Sequence, residues 1–249
     1  MRHVFSSMGT VASVDLPDAD DVLLSVVREI FRQTEARFSL FDPASELSRV
    51  ASGQLALSGA SAELRDTYAR AVHWRNLSGG AFTPHRPDGV IDLNGIVKAE
   101  AIATAGDALS AAGCQQWSVN LGGDLLIARD APEALRSVGL ADPRDDAALL
   151  AAIVLDGGRR AVASSGSAQR GDHIWRSDQP VVSPFLQVTV VADDIVTADV
   201  LATAIVAGGP EALDALSERF EVDIMTVDHD GRLLCTPGLR RAFASAEAA

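Results

Sequence analysis

The chain has few cysteines, few aromatic residues and a shortage of basic residues, and each shortage excludes a class of protein. Its two cysteines, Cys114 and Cys235, lie far apart among 249 residues, so the sequence predicts neither a disulfide framework nor a cysteine zinc site. Aromatic residues make up only 5% of the chain, and the core must therefore be built mainly from Ala, Val, Leu and Ile. With 21 basic against 34 acidic residues, the net charge of −13 argues against a broad nucleic-acid-binding surface.

Long apolar segments are also missing from the sequence. No apolar run reaches the roughly 20 residues of a membrane-spanning helix, and the start MRHVFSSMGT lacks the hydrophobic stretch of a signal peptide. These features predict a soluble, cytoplasmic protein without a membrane segment. At 47% apolar residues, the chain can bury a large core as one domain or as two intimately packed halves. We expect a single domain over residues 1–243 and a disordered, Ala-rich tail over 244–249.

Hydrophobic periodicity and turn residues predict strands and helices that are segregated rather than strictly alternating. Strands are expected at Val4–Leu16 (a strand pair or one bent strand), Trp117–Leu121, Leu125–Ala128, Leu149–Leu155, Leu186–Ala192, Val222–Val227 and Leu233–Cys235. Helices are expected at Asp20–Arg37, Ser61–Leu77, Gly95–Ala112, Thr197–Ala207 and Pro210–Phe220. This segregation favours an α+β fold.

An acid and a hydroxyl stand four residues apart in the segment ADVLATA, residues 198–204. On a helix, Asp199 and Thr203 project from one face about one turn apart, so that both oxygens can reach one hard cation. The same spacing occurs by chance on many solvated helix faces. By itself it is a weak indication of a metal site.

The segment DLNGIVK, residues 92–98, places a lysine in the first turns of a predicted helix. Asp92 or Asn94 could simply cap this helix, with Gly95 permitting the turn. Capping leaves Lys98 unexplained, because the helix macrodipole disfavours a cation near the helix N-terminus. N-terminal amides together with a lysine instead form a site for a phosphate or pyrophosphate.

Three further features have both an ordinary and a functional interpretation. The segment LGGD, residues 121–124, is typical of a glycine turn between strands, and paired glycines also let a ligand approach the backbone closely. The segment SSGS, residues 164–167, is typical of a polar loop, and its hydroxyls and amides suit phosphate or ribose oxygens. His173 is one of five histidines, and an imidazole that titrates near neutrality can accept a proton.

Together these segments resemble the FAD:protein FMN transferases of the ApbE family. The motifs occur in the family's order from about Ser7 to about Gly209, and five ordered motifs are more specific than one. They are SMGTVASV near the start, FSLFDPASELSR at 38–49, DLNGIVKAEAIATAGDAL at 92–109, VNLGGDLL at 119–126 and VASSGSAQRGDHI at 162–174. The resemblance implies a mixed, mostly antiparallel α+β fold. It also implies Mg²⁺-dependent transfer of FMN from FAD to a Thr or Ser hydroxyl of an acceptor protein, with release of AMP.

The resemblance further implies roles for individual residues. It places Asp199, Thr203 and the Gly95 carbonyl around Mg²⁺, and it makes His173 or Asp199 the base that takes the acceptor's proton. Lys98 would contact the phosphates of FAD. The other implied FAD contacts are Met8, Thr10, Asp92, Gly122, Gly123, Asp124, Ser164, Ser165 and Gly166.

Several positions depart from the family pattern. Ala99 and Glu100 follow Lys98 where the family has glycine and an aromatic residue, Thr83 stands in place of an aspartate, and Ala51 stands in place of an asparagine. A carboxylate near a pyrophosphate weakens FAD binding unless Glu100 points away. A FAD pyrophosphatase that gives FMN and AMP, or a non-catalytic FAD-binding protein, therefore stays open as an alternative. The oligomeric state, monomer or homodimer, also stays open.

Overall fold

The computed structural model describes residues 1–18, 20–156, 158–166 and 183–246. Within these ranges the strands are β1 Arg2–Ser7, β2 Thr10–Asp15, β3 Ser118–Leu121, β4 Asp124–Ile127, β5 Ser137–Asp142, β6 Asp145–Val154, β7 Ala161–Gly166, β8 Phe185–Ala192, β9 Asp223–Asp228 and β10 Leu233–Cys235. The α-helices are α1 Asp21–Phe38, α2 Glu46–Ala51, α3 Ala62–Leu77, α4 Asn94–Ala111, α5 Glu133–Arg136, α6 Ile195–Arg219 and α7 Pro237–Ala246.

Eight strands form one sheet in the order β1-β2-β3-β4-β7-β8-β9-β10, and β5 and β6 form a separate hairpin. The ladders between these strands are antiparallel. Nearly all neighbours in the sheet follow one another along the chain, but α1–α4 lie between β2 and β3 in sequence. This arrangement confirms the predicted α+β fold with mostly antiparallel sheets.

Helices α4 and α6 form the layer that covers one face of the sheet. Helix α6 contacts β7, β8 and α4, and α4 contacts β3 and β4. The Asp194 carboxylate caps α6 by accepting the Thr197 amide at 2.8 Å, which is a common N-terminal signal. Gly209, at φ 68°, breaks the helix just before Pro210, so the two predicted helices form one element with a kink.

By length and composition, α6 is also the one helix of the described chain that could cross a membrane, against the expectation of no such segment. However, 67% of its apolar stretch is buried inside the protein. Its contacts with the sheet and α4 are those of a core helix.

The β5–β6 hairpin and α7 lie over other parts of the sheet. The side-chain amide of Gln187 in β8 donates to the Ala141 carbonyl of β5 at 3.4 Å. Helix α7 packs against β6 and β9. Helix α7 continues through Ala246, and it therefore covers the first three residues of the segment that we expected to be a disordered tail. Residues 247–249 lie outside the described part of the chain.

The polar loop predicted at residues 164–167 is wrong for its described part. Ser164, Ser165 and Gly166 belong to β7, where they pair with Thr189, Val188 and Gln187 of β8. This pairing with β8 makes them part of the sheet, and the local sequence does not reveal it.

Candidate functional site

Two glycine-containing turns meet at one end of the sheet. Met8 and Gly9 connect β1 to β2 with φ 49° and 70°, and Gly122 and Gly123 connect β3 to β4 with φ 66° and 98°. Two-residue hairpin loops with both φ values positive match the twist of the strands that they join. Because β2 pairs with β3, the turns lie side by side, and the Gly122 amide donates to the Val11 carbonyl at 2.9 Å.

The contact between these turns explains why a glycine is required at position 122. A Cβ atom on Gly122 would lie 3.0 Å from the Thr10 hydroxyl oxygen, and the positive φ would strain any other residue. On the other turn, the Met8 amide donates to the Glu35 carboxylate of α1 at 3.2 Å. Thr10 and Gly122, two of the predicted FAD contacts, are therefore in direct proximity.

Lys98 and Asp124 form an ion pair beneath this end of the sheet. Lys98 Nζ lies 3.6 Å from Asp124 Oδ2; the lysine side chain is 13% exposed and the aspartate side chain is fully buried. Asp124 Oδ1 also accepts the backbone amide of Ser164 at 3.2 Å. One carboxylate thus joins helix α4 to the beginning of β4 and the end of β7.

The start of α4 is shaped by the segment that precedes it. The Asp92 carboxylate accepts the Asn94 amide at 2.9 Å, and the Asp92 amide donates to the Pro84 carbonyl at 2.8 Å. Leu93, rather than Asp92 or Asn94, occupies the capping position. A Cβ atom on Gly95 would lie 2.9 Å from the Phe82 ring, so this residue allows close packing at the first turn of the helix.

Asp199 and Thr203 lie on one face of α6, as their spacing predicts. Asp199 is 1% exposed, and the Thr203 hydroxyl lies 3.1 Å from the Ser165 hydroxyl of β7. The Thr203 hydroxyl therefore lies at the junction of α6 with the sheet, one helical turn from the buried Asp199. Within the described residues, no group of three His, Cys, Asp or Glu side chains is arranged to hold a metal.

The neighbouring serines of β7 point to opposite faces of the sheet. The Ser165 hydroxyl faces Thr203 on the helical side, whereas the Ser164 hydroxyl lies 2.8 Å from the Thr189 hydroxyl. The Thr189 hydroxyl also accepts a hydrogen bond from the side-chain amide of Gln187 at 3.3 Å. Ser164 therefore contacts Asp124 through its backbone amide. Its hydroxyl points to the opposite face of the sheet, toward Thr189. Residues 167–182, including the predicted base His173, lie outside the described residues.

Glu100 points away from the start of α4 and toward α3. Its carboxylate accepts from Arg70 Nη2 at 3.0 Å and from the Thr67 hydroxyl at 2.9 Å. The hydrogen bonds to Glu100 raise the pKa of the Arg70 guanidinium. The carboxylate that departs from the family pattern is thus engaged by a cation on the neighbouring helix.

One surface groove of the described residues lies away from these contacts. An open groove of about 340 Å³ runs between α1 and α2 and is lined by Arg32, Arg37 and Arg49, among others. None of the predicted site residues lines it.

The sequence pointed to the Gly122–Gly123 turn, to Lys98 and to the Asp199–Thr203 spacing, but it gave no sign of the Met8–Gly9 turn, of Glu35 or of Thr189. The Glu35 carboxylate accepts the Met8 amide, and the Thr189 hydroxyl is hydrogen-bonded to the Ser164 hydroxyl. Both partners come from distant parts of the chain. A local pattern gives no signal for either contact.

Comparison with known proteins gives a consistent family match. The model of the ApbE family matches residues 8–86 and 83–226. No curated protein matches the chain.

Solved structures match over nearly the whole length of this chain and of their own. The ApbE protein from Thermotoga maritima superposes with a TM-score of 0.79 at 19% identity, covering 98% of this chain and 99% of its own. The flavin transferase ApbE from Vibrio cholerae gives 0.77 at 19% identity, with 97% and 98% covered. The apo form of Pseudomonas stutzeri flavinyl transferase ApbE gives 0.76 at 20% identity, with 98% and 97% covered. At these identities the likeness establishes the fold.

Proposed function

Because the chain belongs to the ApbE family, we propose that it transfers the FMN part of FAD to a Thr or Ser hydroxyl of an acceptor protein and releases AMP. The observation that carries this proposal is Lys98 at the start of α4, beside the paired glycine turns. A pyrophosphate needs positive charge and backbone amides, and in a chain of net charge −13 these must be supplied locally.

The turns and the helix start would bind different parts of FAD. Gly122 and Gly123 present backbone without side chains, so a flat or charged ligand can approach closely. Lys98 would bind the pyrophosphate through its ammonium group. Met8 and Thr10 border the same turns, and we assign them to the flavin side.

Two side chains at the α6–sheet junction and one carbonyl from the start of α4 would suit a hard divalent cation. Asp199 offers a carboxylate, Thr203 a hydroxyl and Gly95 a backbone carbonyl, and oxygen ligands of this kind are those that Mg²⁺ prefers. The set contains a single carboxylate, so phosphate oxygens of the substrate would supply further ligands. When bound, Mg²⁺ would stabilise the negative charge that develops on the phosphate oxygens.

In the transfer, the acceptor hydroxyl oxygen forms a bond to the FMN-side phosphorus. The bond from that phosphorus to the bridging oxygen breaks, and AMP leaves with the electron pair. Lys98 stabilises the charge on the departing phosphate. The acceptor's proton passes to the His173 imidazole or to an Asp199 carboxylate oxygen.

Incubation of the protein with FAD, Mg²⁺ and synthetic Thr- or Ser-containing peptides tests this proposal. We expect AMP release together with a peptide mass increased by one FMN phosphoester. AMP and free FMN without a modified peptide would identify a pyrophosphatase instead. FAD binding with neither product would identify a binding protein without turnover.

Asp199→Asn provides the variant for this assay. The substitution removes a charged oxygen ligand and barely changes volume, so we expect turnover to be lost while the melting temperature stays near that of the unmodified protein. Asp214→Asn, on an exposed part of the same helix, is the matched control and should retain full activity. Unchanged turnover in Asp199→Asn at limiting Mg²⁺ would remove this residue from the metal site.

A further inference from the structure

Direct contact with FAD does not account for the position of the Asp124 carboxylate. The side chain is fully buried, with one oxygen 3.6 Å from Lys98 Nζ and the other accepting the Ser164 amide at 3.2 Å. A carboxylate that faced the pyrophosphate would also repel it. Two of its contacts are instead with groups that border the proposed phosphate site.

We propose that Asp124 is a positioning residue that acts on FAD through Lys98. This inference rests on the proposed function, because it takes Lys98 as the group that binds the pyrophosphate. A lysine side chain has many rotamers, and a nearly buried ammonium is costly unless a carboxylate compensates it. Asp124 supplies that charge from the rigid start of β4, and it therefore fixes where the ammonium lies before FAD arrives.

The second carboxylate oxygen of Asp124 also positions the end of β7. By accepting the Ser164 amide, it ties the end of β7 to β4. The next residue, Ser165, is 3.1 Å from Thr203, a candidate Mg²⁺ ligand. Asp124 thus connects the lysine side of the site with the strand that borders Asp199 and Thr203.

The sign of one measurement separates positioning from simple charge repulsion. If Asp124 acted only as a negative charge near the phosphates, Asp124→Asn would tighten FAD binding. If it holds Lys98 in place, the same substitution weakens binding, and it does so only when the lysine is present. Asparagine has nearly the same volume and keeps an oxygen that can accept the Ser164 amide.

The test compares the unmodified protein, Asp124→Asn, Lys98→Met and the double variant by FAD fluorescence quenching, with AMP release measured in parallel. We expect FAD affinity to fall at least fivefold in Asp124→Asn and at least tenfold in Lys98→Met. In the Lys98→Met background, Asp124→Asn should cause no further loss, because coupled residues are not additive. Asp124→Glu, which keeps the charge but displaces it, should also weaken binding and serves if the asparagine variant does not fold.

Asp223→Asn is the matched control, since Asp223 forms an ion pair with Arg159 at 3.1 Å on β9. It should lower thermal stability without changing FAD affinity. Equal or tighter FAD binding in Asp124→Asn, or the same loss in both backgrounds, would overturn the inference. If the unmodified protein binds FAD without transferring FMN, the proposed function fails while the inference is still decided by the affinities. No FAD binding at all would overturn both.

Discussion

Replacing Glu100 by Gln should destabilise the protein slightly and leave FAD binding unchanged. The Glu100 carboxylate is 17% exposed and accepts from Arg70, whose side chain is 53% exposed, and from the buried Thr67. Partly exposed ion pairs contribute about 0.2–1 kcal/mol, and the Thr67 hydrogen bond adds a similar amount. We therefore expect a loss of about 1 kcal/mol in the free energy of unfolding, or about 2–4 °C in melting temperature for a chain of this size.

The alternative orientation of Glu100 gives a different and larger result. A carboxylate about 8–15 Å from the pyrophosphate would oppose FAD binding by roughly 1–2 kcal/mol at an effective dielectric constant of about 20. Glu100→Gln would then tighten FAD about five- to thirtyfold at low salt, and the effect would shrink as salt is added.

Thermal unfolding and FAD titration on the same samples decide between these results. Arg70→Gln is the control, because it removes the other partner and should lower the melting temperature by a similar amount. The double variant should lose less than the sum of the single variants. Tighter FAD binding at an unchanged melting temperature would refute the assignment of Glu100 to the α3–α4 contact.

Three further outcomes follow from the contacts described above. Gly106→Ala would place a Cβ atom 2.4 Å from the Trp117 ring, so we expect the free energy of unfolding to fall by about 1–3 kcal/mol. Denaturant titration measures this loss, and an unaltered unfolding midpoint would refute the close packing. Burial, with a smaller effect of Arg75, lowers the pKa of His85 from its ordinary value of 6.5. Below pH 6.5 the unfolded chain therefore binds a proton at His85 more readily than the folded chain does. The folded state loses stability as the pH falls through this value. His85→Gln should reduce this loss in melting temperature between pH 7 and 5.5, and an identical pH dependence would contradict it. Thr203→Val should slow AMP release only partly, because a neutral hydroxyl contributes less than a carboxylate to a cation; complete loss with an intact fold would show that the hydroxyl is essential.

Elements with a strong local signal were predicted well from the sequence. Helix α1 has an apolar stripe and begins at the Asp20 cap, whose carboxylate accepts two amides at 3.0 Å. The β3–β4 hairpin was evident from its paired glycines. In both cases the residues that determine the structure are close together in the chain.

Elements that depend on distant partners were not predicted. Strand β7 contains two consecutive serines, which resemble a loop until Thr189 and Thr203 provide partners on its two faces. Strand formation reflects such neighbours more than intrinsic preference. For the same reason, the Asp199–Thr203 pair was visible from its helical spacing, whereas the Lys98–Asp124 ion pair joins a helix to a strand and has no local pattern.

The position of β2 in the sheet has a consequence for folding. Its pairing with β3 joins Asp15 to Ser118, whose side chains are hydrogen-bonded at 2.9 Å across 103 residues of chain. The length-dependent part of the entropy for closing such a loop is about 4 kcal/mol, and contacts of this range form slowly. The Met8 turn can reach the Gly122 turn only once this loop has closed. We therefore expect a refolding chain to acquire its helices and its β7–β9 strands first, and its affinity for FAD only in a later kinetic phase.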